Sequence, residues 1–166
     1  MDIITVSRDI LNWSETFVEV PHPVLGNWAP CPFARQARLA GTVGIFIGQD
    51  PYFDLESRAA QGMQQYEVVV YAYDPGEWTL NYFSPRLKAA NQDFLLAADL
   101  IVLEDHPDDV EDVNGVIMNQ GTYALAMVQS LSKLNERAQQ LDNKGFYHDW
   151  PEQYLTGLFE NRKDPR

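Results

Sequence analysis

The sequence predicts an α/β fold: one domain over residues 1–166, with a small sheet of three to five strands, helices packed on it and a helical C-terminal tail. Three observations carry that expectation. Apolar, β-branched runs at residues 42–47, 66–73 and 100–103 alternate with stretches of helical character. Each run ends at a polar residue followed by proline. Beyond Gly115 the apolar positions Leu125, Val128, Leu131, Leu134, Ala138 and Leu141 recur at spacings of three or four, the mark of one helical face. The chain thus divides into an α/β core, 1–115, and a helical tail, 116–166. Parallel strand order is the first expectation, because β-α-β crossovers run that way. A ferredoxin-like α+β sandwich is the alternative.

The elements follow in order. Residues 7–15 read as a helix carrying Ile10, Leu11 and Trp13, and Phe17–Val20 alternates like a short strand. Prolines 21, 23 and 30 with Gly26 make an irregular loop, since proline removes donors and fixes φ. Pro32 is a good first helical residue and Gly41 a good stop, which predicts a helix over 32–40 with Cys31 at its N-cap. The strand over 42–47 follows. A helix over 54–64, capped by Asp54, leads to the strand over 66–73. Ser84-Pro85 opens a helix that runs to about Ala97, and residues 100–103 form the third strand. The tail helix stops at Lys144-Gly145, and Trp150-Pro151 begins a last short helix anchored by Tyr154, Leu155 and Leu158.

Composition excludes several functions. Twenty-four acidic against 12 basic residues give a net charge of −12, unsuited to a phosphate backbone or an anionic membrane. No apolar run approaches the roughly 20 residues that span a bilayer, and the N-terminus lacks a leader pattern. One cysteine excludes an internal disulfide and suits a cytoplasmic protein. Glycine-rich phosphate loops are absent, so no cofactor is legible.

The strand ends are where a site is expected. They read Gly48-Gln49-Asp50-Pro51, Ala72-Tyr73-Asp74-Pro75 and Glu104-Asp105-His106-Pro107. Proline there stops the strand and begins a turn. If the strands are parallel, Asp50, Asp74, Asp105 and His106 share one edge, and Cys31 falls on it too. Open α/β sheets bind ligands outside the C-terminal ends of their strands. A thiol at a helix N-terminus has its pKa lowered, and Arg35 and Arg38 on the same face add to that. Cys31 then reads as a nucleophile, His106 as its base or acid, Asp105 as the group orienting the imidazole, and Arg35 as the thiolate's electrostatic support. The same edge could hold zinc or iron through Cys31, His106 and Asp50, Asp74 or Asp105. The acidic run Glu104–Asp112 lacks the spacing of a calcium loop and reads as a solvated helix start. A small-molecule ligand at this edge is the implied partner. The apolar tail stripe offers a contrasting reading, a non-enzymatic module that binds a partner or assembles as a homodimer.

Trp28–Ala34 resembles the active-site turn of glutaredoxins and thioredoxins, with alanine in place of the second cysteine. More broadly, Trp13, Cys31-Pro32-Phe33-Ala34, Pro75 and His106-Pro107 resemble the motifs of an uncharacterised bacterial protein family. That family has a tryptophan-bearing helix, a Leu-Cys-Pro-Phe-Ala segment and a strand ending in His-Pro. The resemblance spans roughly residues 8 to 108; Pro30 replaces the leucine, and the tail has no counterpart. It implies no activity, but it singles out Cys31 and His106.

Overall fold

A computed structural model describes all 166 residues. It is a mixed α/β structure built on a four-stranded sheet of order β1-β2-β6-β3. The chain opens with helix α1 (Ile3–Trp13), whose first turn is capped by Asp2 accepting the Thr5 N–H at 2.9 Å. Alternation at Phe17–Val20 does not produce a strand. The segment continues α1 as a π turn, Ser14–Val18, because no neighbouring strand offers it a ladder. Helix α2 (Ala34–Leu39) follows the proline-rich loop, and strand β1 (Val43–Ile47) follows α2.

Helix α3 (Pro51–Gln61) starts three residues earlier than expected. Asp50, not Asp54, is its cap, accepting the Tyr52 and Phe53 N–H groups, with Pro51 in the first turn. Strand β2 (Val68–Tyr73) leads to α4 (Leu80–Ala90), which contains Pro85 rather than beginning at it. A π turn, Asn91–Leu95, then turns the chain into β3 (Leu100–Asp105).

The largest departure lies in the tail. Residues 112–117 form a small hairpin of β4 (Asp112–Val113) and β5 (Val116–Ile117), turning at Asn114-Gly115, where both residues have positive φ. Strand β6 (Ala124–Ser130) then enters the sheet between β2 and β3, antiparallel to both. Only from Leu131 is the chain helical, as α5 (Leu131–Asp142) and α6 (Glu152–Leu158). The apolar run Ala-Leu-Ala-Met-Val mimics a helix because a central strand buried on both faces has no polar alternation to betray it.

The sheet is therefore mixed, not parallel throughout. Its element order, β-α-β-α-β before β6, also differs from the βαββαβ order of the ferredoxin-like alternative. Yet β1 and β2 are parallel, and β2 and β3 both oppose β6. The three early strands thus share one direction, and their C-terminal ends share one edge.

The two faces are covered differently. On one, α3, α4 and the turn after α4 bury Val69, Tyr71, Tyr73, Val102, Ala126 and Val128. On the other, α1 covers Val70, Ala72 and Leu125. The C-terminal helices build a third cluster of Ala138, Leu141, Phe146, Trp150, Leu155 and Phe159 around Leu25 of the proline-rich loop.

Candidate functional site

Between α1 and the C-terminal helices, part of the second face stays open as a cleft, which continues past the β3 edge to Ser84, Lys88 and Glu104 and measures about 770 Å³ in all. Val70, Ile101, Leu103 and Met127 from three strands form its apolar floor. Trp13 and Phe17 line one side, Cys31 and Phe33 the next, and Tyr154 and Leu158 of α6 the far side. At the end of β3 the wall turns acidic, with Asp105, Asp109 and Glu111.

Strand geometry decides which strand-end residue reaches this cleft. Side chains alternate along β3, so Ile101, Leu103 and Asp105 face one way while Leu100, Val102 and Glu104 face the other. His106 continues the second series. Its ring packs against Phe83 of α4 at 5.8 Å and is fully buried. Nε2 donates to the Trp78 carbonyl at 2.9 Å, and Nδ1 accepts the Asp108 N–H at 3.1 Å. Both ring nitrogens are occupied in tying the β3 end to the loop before α4. Asp105 does not orient His106: the two belong to opposite faces.

Asp105 is 3% exposed, and its Oδ1 has no hydrogen-bond partner. Burial, reinforced by Glu111, Asp109 and Glu104, pushes its carboxyl up to about 7. Burial raises Glu104 and Glu111 as well, again with acidic neighbours. The Tyr154 hydroxyl faces Glu111 and is pushed up by burial and that charge. None of Glu104, Asp105, Asp109 and Glu111 forms an ion pair.

The other expected site residues are dispersed. Cys31 lines the cleft but precedes a turn, its carbonyl accepting the Ala34 N–H at 3.1 Å, and α2 starts only at Ala34. Cys31 keeps exposed surface, yet the bulk of protein around its sulphur raises the thiol above its usual value. The N–H groups of Phe33 and Ala34 and the charge of Arg137 pull the other way and lose. The shift is opposite in sign to that expected from a helix N-terminus, because a six-residue helix starting three positions later contributes little field there. Arg35 is exposed on α2. Arg38 is held by Glu19, Nε to Oε1 at 2.7 Å. Asp50 is consumed by the α3 cap, and Asp74 accepts the Gly76 N–H at 2.8 Å in its turn. No three side chains of the metal-binding types stand close enough together to hold an ion.

The sequence names Tyr154 and Trp13 only as helix residues, without their place in the cleft, and does not single out Arg137. Nor did it select Asp105 over His106, although alternation from Leu103 to Asp105 is written in the strand. Comparisons with known protein families, with curated proteins and with solved structures find no match. No helix is long and apolar enough to cross a membrane.

Proposed function

We propose that the protein binds a small organic molecule in the cleft on the open face, with Asp105 as its polar anchor. The observation that carries this reading is a carboxyl 3% exposed, with an unpartnered oxygen, in the wall of an apolar cleft. Buried polar groups in native folds are mostly hydrogen-bonded, and Asp105 and Glu104 are the two carboxylates here that keep a buried oxygen without a partner. The volume lies within the range of small-molecule sites, and so does the mixture of an apolar floor with few polar groups. Two of the residues that carry the family resemblance, Trp13 and Cys31, line the same space. The raised Cys31 thiol and the engaged His106 ring weigh against a reaction run by a Cys31–His106 pair. The acidic charge and single cysteine suit a cytoplasmic protein that avoids nucleic acid.

The test is a neutral apolar dye, Nile red, titrated into wild type and into Met127→Trp, which fills the floor. Binding by wild type and its loss in the variant support the site. Equal binding by both sinks it.

A second reading, homodimeric assembly, draws on the sheet edges. At β3 the outer backbone of Val102 is closed by the Asn91 side chain, which accepts its N–H at 2.9 Å and donates to its carbonyl at 3.1 Å. At β1 the uncharged run Thr42–Gly48 forms an open edge, the kind that pairs with another strand. Light scattering that gives the mass of one chain would remove this reading.

A further inference from the structure

We propose that the ligand of this cleft is an organic cation, an ammonium group carried on an apolar body. This rests on the reading of the cleft as a binding site and names the chemistry it selects. Four carboxylates, Glu104, Asp105, Asp109 and Glu111, cluster around the end of β3, and none is ion-paired. Every charged group that acts on Asp105 is an acid. The two arginines lining the cleft are already committed. Arg38 holds Glu19 at 2.7 Å, and Arg137 holds Glu67 at 2.8 Å while covering the Phe33 ring at 4.9 Å. Lys88 also lines the cavity, and its charge acts on Glu104 and not on Asp105. One lysine thus faces four carboxylates at this end of the cleft, and no cation of the chain acts on Asp105 itself.

An anion would meet repulsion from all four acids and from the net charge of −12. A metal ion needs converging donors, which this arrangement does not supply. An ammonium group needs one carboxylate, and the surrounding acids add to its attraction. Its apolar body would cover Val70, Ile101, Leu103 and Met127. Trp13, Phe17 and Tyr154 provide aromatic rings around the same space, and such faces attract cations. Glu104 from β3, Asp109 and Glu111 from the following loop, and Tyr154 from α6 are the titratable groups around Asp105. The three acids make its ionisation harder without a ligand, so a bound cation favours the charged carboxylate. Binding should tighten as pH rises towards neutrality and level off above it.

The experiment is calorimetric titration of the whole chain with three probes sharing one apolar body: phenethylamine, phenethyl alcohol and phenylacetate. The expected result is binding of the amine at least about tenfold tighter than either counterpart, a tenfold step being 1.4 kcal/mol. Asp105→Asn should abolish that preference, and wild-type affinity for the amine should weaken by up to about tenfold per pH unit below 7. Equal or better binding of the alcohol or the acid overturns the inference while leaving the site intact. Absence of amine binding with Nile red still bound does the same. Loss of all three probes and of Nile red overturns the site itself.

Discussion

The two faces of the sheet solve different problems with the same strands. The α3/α4 face gathers 13 buried residues into one cluster, whereas the α1 face gathers five and leaves the rest of its apolar surface lining a cleft. On the closed face, the polar side chain at the end of β3, His106, is fully hydrogen-bonded. One residue earlier, on the open face, Asp105 is left with an unpartnered oxygen. Neighbours in sequence thus serve opposite ends. The His106 ring holds the β3 end to the loop before α4, whereas Asp105, like Glu104 beside it, keeps a buried oxygen without a partner.

The contrast can be tested most severely through packing. Phe83→Ala opens a cavity under the closed face and should cost about 3–5 kcal/mol, whereas Met127→Ala, half-buried on the floor of the cleft, should cost about 1–2 kcal/mol. Urea denaturation of both variants measures the difference, and equal losses would mean that the cleft is as tightly packed as the core. Asp105 comes next. Its folded carboxyl titrates at about 7, above its unfolded value, so the folded state holds more protons between roughly pH 4 and 7. Stability should therefore fall as pH rises through that range, by up to about 1.4 kcal/mol per unit. Glu104 and Glu111, also raised, add in the same sense. Asp105→Asn should flatten this slope in urea melts at pH 5 and 8; an unchanged slope would show that the carboxyl is already ionised at acid pH.

His106→Gln removes a buried hydrogen-bonded ring and should cost about 2 kcal/mol. It should leave Nile red binding unchanged, since the ring belongs to the other face; weakened binding in a folded variant would link the two faces. The smallest effect concerns Cys31. Its alkylation by iodoacetamide should have a pH midpoint above the free-thiol value of about 8.5. A lower midpoint would return Cys31 to consideration as a nucleophile.

Much of the fold is legible in the chain. The β-rich runs at 42–47, 66–73 and 100–103 each contain a strand, because Val, Ile and Tyr in short runs before an acid and a proline have few other stable arrangements. The shared edge of their C-terminal ends is legible too, as three strands of one direction. Strand β6 is not. Ala124–Met127 is built of residues that favour helices locally, and only hydrogen bonding on both sides, to β2 and β3, makes it extended. Of the candidate site, the sequence names both Asp105 and His106 but does not decide which of them faces the cleft. Acids and an imidazole at strand ends are visible in a sequence, and so is the two-residue alternation that separates them.

By itself, then, the sequence determined the strands, the polar edge where they end and the acidity around it, because these depend on local propensity and charge. Tertiary structure alone decided that β6 joins the sheet, that the Cys31 thiol is raised rather than lowered, and that Asp105 rather than His106 enters the cleft. Those outcomes depend on which surfaces are covered by distant segments. Burial, which sets both hydrogen-bond satisfaction and the cost of charge, is a property of the packed chain and not of any stretch of it.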